Sequence, residues 1–345
     1  MKIILKLSKT ANFFFFVSNL SEWHFSCRKT YNEAWLKKTG PLKAEEKKVL
    51  LLFKKIMKRR GFSRDKDWQS EYLGKYFYLF PKESVWRELK KTASEKEIQQ
   101  LKMIFDVVRP RFEKIWKSYD PGKRVSIIER YIHSRLYTKL LDDLGMVFGG
   151  KKSMLEKLNV VIIVSPLGKE TTAAGGANTG PSSITLELPS LRPKTWQLDF
   201  SAMILAHEIA HSLFERRGGA ELISKSITRL RLPKTIKNLP EGFSTMQLIN
   251  EALTGSFVPL GYFGQKYTQF RLAPLLLNDL NKGLIGYQKL SCGEKINYYN
   301  ELEYYLIPSL YSLAIIYGRN KKSIDRNFVL EVAKTIKTSL RYRSP

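Results

Sequence analysis

Residues 200–214 read FSAMILAHEIAHSLF, and the organisation of the whole chain is best worked out from this stretch. Apart from His207, Glu208 and His211 it holds no charged or titratable side chain, which predicts a helix that is buried on most of its surface. Because 3.6 residues make one helical turn, the two histidines lie one above the other on the same face. The glycine pair at 218–219 then predicts a left-handed stop.

Two histidines at this spacing can hold one metal ion, and Zn²⁺ is the ion that imidazole ligands most often bind in such helices. A carboxylate beside such an ion can take the proton from a water that attacks a carbonyl. We therefore predict that His207 and His211 are zinc ligands and that Glu208 is a general base. The alternative is a buried helix whose histidines are satisfied by hydrogen bonds alone.

A metal held by two histidines needs a further protein ligand, while a catalytic site leaves its last position to water. A third histidine six residues after His211 is absent, because Arg217 stands there. The other two histidines, His24 and His133, lie in segments whose spacing gives them no link to the motif. An acidic ligand from a second helix is therefore the favoured solution.

Two glutamates compete for that role. Glu251 lies in residues 244–257, STMQLINEALTGSF, where Ser244 and Gln247 form a capping box that starts a helix. Glu241 lies upstream in LPEGF, which predicts a loop. Because a helix fixes a ligand better than a loop does, we predict Glu251 as the third ligand, with Glu241 as the alternative.

The HExxH motif and the Asn-Glu-Ala run at 250–252 resemble the corresponding segments of the gluzincins, a group of zinc metallopeptidases. The resemblance covers residues 200–257. It implies a zincin-like core, an HExxH active-site helix and a peptide or protein substrate. Gly255 stands where thermolysin-like enzymes have an aspartate that orients a zinc histidine, so the chain resembles a divergent member of the wider group.

The resemblance also implies an edge strand that pairs with the substrate and a donor for the oxyanion. The strand SITLEL at 183–188, or the Ala-Gly-Gly-Ala run at 174–177, is the candidate edge, with an ordinary hairpin as the alternative. No histidine follows His211, so a tyrosine is the familiar choice of donor. The donor could be Tyr305, Tyr311 or another tyrosine of residues 295–317, with an arginine as the alternative, and the sequence does not choose among them.

Hydrophobic periodicity along the 345 residues predicts a predominantly helical α+β fold with a small mixed sheet. Strands are predicted at 3–7, 13–18, 159–165 and 184–188, and one long helix at 125–144. We expect a mainly helical, basic N-terminal region over residues 1–150 and a zincin-like metallopeptidase core over residues 151–345.

The net charge of +27 is the strongest feature outside the metal motif. Residues 1–150 carry 33 basic and 17 acidic side chains, and residues 151–345 carry 26 and 15, so the excess is spread over the chain. The densest patch is KKIMKRRGFSR at 54–64. Such patches bind nucleic acid or anionic surfaces. The alternative function is therefore a basic nucleic-acid- or anion-binding protein with a degenerate or structural HExxH helix.

No stretch approaches the roughly 20 apolar residues of a membrane-spanning helix. The apolar run FFFFVSNL at 13–20 is too short for one and is interpreted as a buried strand. Cys27 and Cys292 are too few to form a disulfide framework. We therefore expect a cytoplasmic protein without a transmembrane segment.

Overall fold

The computed structural model describes residues 2–24, 27–60, 73–150, 156–166, 175–180, 183–188, 195–236, 244–268 and 295–341. The strands are β1 (Lys2–Leu7), β2 (Lys157–Val164), β3 (Gly176–Gly180) and β4 (Ser183–Leu188). The helices are α1 (Lys9–Leu20), α2 (Lys29–Thr39), α3 (Ala44–Arg60), α4 (Gly74–Leu79), α5 (Lys82–Leu89), α6 (Glu95–Lys117), α7 (Pro121–Ile132), α8 (Arg135–Leu144), α9 (Thr195–Arg216), α10 (Gly219–Leu230), α11 (Thr245–Gly255), α12 (Tyr262–Tyr267), α13 (Lys295–Arg319) and α14 (Arg326–Arg341).

The described residues are mostly helical and contain a small mixed four-stranded sheet, which confirms the predicted α+β class. Among the helices that the structure describes, none combines the length and the apolar character needed to cross a membrane. By internal packing the chain divides into a sheet unit (residues 2–130 and 157–201) and a helical unit (residues 131–156 and 202–345). This division does not coincide with the predicted boundary at residue 150, because the three later strands join the N-terminal strand in one sheet.

The sheet has the strand order β1-β2-β4-β3. Strand β2 is parallel to both β1 and β4, and β3 is antiparallel to β4. The prediction that SITLEL is a free edge is therefore wrong, since β4 has a neighbour on each side. The alternative run at 174–177 reaches into β3, which is an edge strand, although its first residue lies outside the described residues.

Residues 13–18 belong to helix α1, so the predicted strand is wrong. Ser8 caps this helix, and its hydroxyl accepts a hydrogen bond from the third backbone amide along. The phenylalanines remain buried in helical form because other helices surround α1; Phe14 stacks on Phe77 with ring centroids 4.7 Å apart. Consecutive aromatics favour a strand by propensity, and tertiary packing overrides that preference here.

Helix α1 is fixed to the sheet by the amide of Asn12. The Asn12 Nδ2 donates to the carbonyl of Ile162 at 2.8 Å, and its Oδ1 accepts from the backbone N–H of Val164 at 2.7 Å. All three groups are buried, so the side chain continues the hydrogen-bond pattern of β2 beyond the end of β1. A single polar side chain thus satisfies two backbone groups that would otherwise be costly to bury.

Ion pairs at both ends hold helix α3 antiparallel against α6. Arg111 of α6 donates to Glu46 of α3 at 2.7 Å, and both side chains are buried. At the opposite ends, Arg59 of α3 donates to Glu97 of α6 at 2.6 Å. Glu46 and Glu97 are therefore already bound by arginines.

The single helix predicted at 125–144 is divided into α7 and α8. Ser134 caps α8 by accepting a hydrogen bond from the N–H of Tyr137 at 3.3 Å. The fully buried Tyr137 hydroxyl in turn donates to the carbonyl of Ala202 in helix α9 at 3.0 Å. The break thus places a tyrosine that anchors α9.

The carboxylate of Asp143, at the end of α8, joins two further parts of the helical unit, helix α12 and the segment that follows α13. It accepts from Lys266 at 2.7 Å, from the Tyr267 hydroxyl at 2.5 Å and from Lys321 at 3.2 Å. Burial alone would raise the pKa of Asp143, but the hydrogen bonds and charges of these neighbours hold it below its ordinary value.

Candidate metal centre

Helix α9 carries His207, Glu208 and His211 in its buried part. Their exposed fractions are 6%, 9% and 3%, so all three polar side chains are largely removed from bulk water. The helix ends at Arg216, and Gly218 adopts the predicted left-handed conformation with φ of 85°. Burying such polar groups costs free energy unless each has a hydrogen-bonding, charged or metal partner. The residues that face them therefore indicate what the site can bind.

Helix α11 begins with the predicted capping box. The Ser244 hydroxyl accepts from the N–H of Gln247 at 3.3 Å, and the Gln247 side chain accepts from the N–H of Ser244 at 2.7 Å. This box fixes where the helix starts, and Glu251 follows about two turns later. The competing Glu241 lies outside the described residues.

The structure brings the three predicted ligands together. The Glu251 Oε2 lies 3.1 Å from His207 Nε2 and 3.2 Å from His211 Nε2. The two Nε2 atoms are 2.9 Å apart, and the imidazole rings meet edge to face at an interplanar angle of 82°. One atom from each of three side chains on two helices therefore converges on a common point.

These separations suit one tetrahedral ion. Zinc bound at about 2.0 Å to nitrogen and oxygen separates its ligand atoms by roughly 3.3 Å. The observed edges of 2.9, 3.1 and 3.2 Å are slightly shorter, so one ion can touch all three atoms. Two imidazoles and one carboxylate are also a donor set that zinc takes in catalytic sites, with a position left for water. The residues present therefore fit the ion.

The outer nitrogen of His207 is held by a backbone group. His207 Nδ1 lies 2.9 Å from the carbonyl oxygen of Val258. Because a carbonyl oxygen can only accept, Nδ1 carries the proton and donates it. With Nδ1 protonated, His207 in its neutral form presents the lone pair of Nε2 toward Glu251, which is the tautomer that a metal ligand requires.

The outer nitrogen of His211 faces a hydroxyl. Thr254 Oγ1 lies 3.3 Å from His211 Nδ1, and Thr254 is fully buried. Thr254 follows Glu251 by three residues, so both project from neighbouring positions on α11. Thr254 and the Val258 carbonyl are the functional groups that the sequence interpretation missed.

The electrostatics of the centre favour a positive charge. Burial alone would lower the pKa of His207, but the hydrogen bond and charge of Glu251, with the charge of Glu208, raise it to about 9. Burial alone would raise the pKa of Glu251, but the charge of His211 and the hydrogen bonds from both histidines hold it well below its ordinary value. The contribution of Glu208 also places its carboxylate within electrostatic reach of His207.

The proposed oxyanion donors lie on helix α13. Tyr311 is partly buried there, and the side chain of Tyr305 lies outside the described residues. Pro308 falls inside the helix, between the two tyrosines. The described residues do not decide which of these side chains would donate to the oxyanion, so the donor stays a prediction.

We compared the chain with protein-family models, with curated proteins and with solved structures, and no match was found in any of the three. The functional argument therefore rests on the geometry of this centre.

Proposed function

We propose that this protein is a zinc-dependent metallopeptidase with a zincin-like core. The observation that supports this most strongly is the convergence of His207 Nε2, His211 Nε2 and Glu251 Oε2 within 3.2 Å of one another. Two buried histidines and a partly buried glutamate on two helices, with a second glutamate in the HExxH position, are the minimal set of side chains for this chemistry. A cytoplasmic location is part of the proposal and rests on the sequence.

Each residue has a distinct role in the proposal. His207, His211 and Glu251 would hold the ion, which when bound supplies a Lewis acid and lowers the pKa of a coordinated water. Glu208 accepts the proton of the water that attacks the peptide carbonyl and passes it to the leaving amine. The Val258 carbonyl keeps His207 in the tautomer that presents Nε2.

The proposal is tested first by metal content. Protein expressed with added zinc should contain about one Zn²⁺ per chain, and His207→Ala or His211→Ala should lose it. Glu251→Gln should also weaken binding strongly, whereas Glu241→Gln should not. Elemental analysis that finds no zinc in the wild-type protein would overturn the metal centre. Zinc loss on Glu241→Gln alone would move the third ligand to Glu241.

The second test separates the enzyme from the alternative. Glu208→Gln should keep its zinc and lose hydrolysis of a mixed peptide library read by mass spectrometry, because this residue takes a proton and binds no metal. Glu215→Gln, an exposed change on the same helix, is the matched control and should retain activity. The basic nucleic-acid- or anion-binding alternative is supported by the net charge of +27. It requires the Glu208 variant to behave as the wild type in every assay.

A further inference from the structure

The outer surface of helix α3 concentrates lysines. Lys47, Lys48, Lys55 and Lys58 are exposed, and Lys54 is partly exposed. We call these five lysines, together with Leu51, the lysine face. Among the residues that the structure describes, none of the five lysines forms an ion pair with an acidic side chain.

Two acidic groups close to the lysine face, Glu46 and Glu97, are bound by arginines. On α3 itself, Glu46 is buried against Arg111 of α6. On α6, Glu97 is held by Arg59 and Arg60. Residues 47–60 contain seven basic side chains and no acidic one. Glu45, in the first turn of α3, is exposed, but the five lysines outnumber it, so the lysine face keeps a net positive charge.

Leu51 lies at the centre of this face. It is 60% exposed, the highest value among the large apolar side chains of the described residues. The lysines stand at positions −4, −3, +3, +4 and +7 relative to it, and all of these are surface neighbours on a helix. The apolar side of α3, including Phe53 and Ile56, is packed in the core. Leu51 is therefore a single apolar side chain exposed among lysines, and not part of an uncovered apolar face.

We propose that the lysine face binds the surface of an anionic lipid bilayer, a function beyond peptide hydrolysis. Lysine ammonium groups are attracted to anionic headgroups, and their alkyl stems can lie along an apolar boundary while the charge stays in water. The central leucine can enter that boundary and lose its contact with water. The phosphates of a nucleic-acid backbone would attract the lysines but would offer no apolar contact to the exposed Leu51. The five lysines also bring no arginine fork, amide or aromatic ring with which to read or stack on bases.

The test measures co-sedimentation of the full chain with vesicles of phosphatidylcholine and phosphatidylserine, with phosphatidylcholine alone as the blank. The face variant combines Lys48→Gln, Lys55→Gln and Lys58→Gln. At about fivefold per lysine, it should lose binding by roughly a hundredfold at low salt. Leu51→Ser should also weaken vesicle binding. Circular dichroism should show both variants folded, since the replaced side chains are exposed.

The matched control removes the same charge from three scattered, exposed lysines of α5, α7 and α8 by Lys82→Gln, Lys123→Gln and Lys139→Gln. Charges beyond the screening length of about 10 Å contribute little, so this control should bind like the wild type. Equal losses in the face and control variants would overturn the proposal in favour of diffuse charge. The proposal would also be overturned if the wild-type protein did not co-sediment with the phosphatidylserine vesicles. A face variant that loses only binding to a mixed-sequence DNA duplex would assign the face to nucleic acid instead. Zinc content is independent of all these outcomes.

Discussion

Replacing Thr254 by valine tests how the centre holds His211. When His211 Nε2 serves as a ligand, Nδ1 carries the proton and donates it to the Thr254 hydroxyl at 3.3 Å. Valine has nearly the same shape as threonine but cannot accept this hydrogen bond. Because Thr254 is fully buried, no water is at hand to replace the lost acceptor. The ring of His211 should therefore be less well oriented for a metal.

The expected magnitude follows from the contact. Loss of a group that orients a ligand typically costs 10- to 100-fold in metal affinity. The acceptor here is an uncharged hydroxyl at the long end of hydrogen-bonding distance, so we expect the lower limit, about tenfold or about 1.4 kcal/mol. The same contact should contribute about 1 kcal/mol to the free energy of unfolding.

The assay is competition for zinc against a chromophoric chelator, with the visible spectrum of the Co²⁺-substituted protein as a second readout of ligand geometry. Thr254→Ser keeps the hydroxyl and is the control, so it should bind zinc almost as the wild type does. If the serine variant loses affinity while the valine variant keeps it, packing of the methyl group, and not the hydroxyl, positions His211. Wild-type affinity in the valine variant would refute the hydrogen bond as a positioning contact.

Two predictions concern the stability of the two units. In the helical unit, Asp143→Asn should lower the free energy of unfolding at neutral pH by about 1–3 kcal/mol, because Lys266 loses its charged acceptor. The folded pKa of Asp143 is depressed, so this difference should be complete above about pH 4 and disappear as the pH falls through the folded pKa, as measured by urea denaturation at several pH values. In the sheet unit, Asn12→Ala should cost about 2–4 kcal/mol, because the buried carbonyl of Ile162 and N–H of Val164 each lose a partner. Asn12→Asp keeps the shape and the acceptor but turns an oxygen toward the Ile162 carbonyl, so it should also be strongly destabilising. Near wild-type stability in Asn12→Asp would show that packing, not the donated hydrogen bond, matters.

Where the determinants are short-range, the sequence predicted the structure closely. The capping box at Ser244 starts α11 as expected, and the glycine at 218 follows the end of α9 as expected. These features depend on residues within one turn of each other, so their pattern is visible in the sequence. The start of α11 and the end of α9 are therefore predictable from the sequence. Because both helices are placed correctly, the faces that carry Glu251 and His207 are placed correctly as well.

Where the determinants are tertiary, the sequence misled. The phenylalanine run at 13–18 forms a strand by propensity and a helix in the fold, because buried aromatics such as Phe77 surround it. The strand at 183–188 was assigned to an edge, but strand order is decided by pairing with β2 and β3, about which its own residues carry no information. Thr254 could have been found from its spacing to Glu251. The Val258 carbonyl could not, since every residue carries one.

The hydrogen bonds of the centre bear on the alternative in which the histidines need no metal. Val258 fixes the proton of His207 on Nδ1, which leaves Nε2 as an acceptor that faces the acceptor oxygen of Glu251 at 3.1 Å. A proton on His211 Nε2 can be donated to His207 Nε2 or to Glu251 Oε2. It does not place a hydrogen between these two acceptors, so their contact stays unsatisfied. A buried pair of facing acceptors is costly, so a further positive charge is required at this point. An added proton supplies that charge to only one of the contacts. An ion at the common point of the three atoms would bind all three acceptor atoms at once. For this reason we favour a metal over a helix whose histidines are satisfied by hydrogen bonds alone.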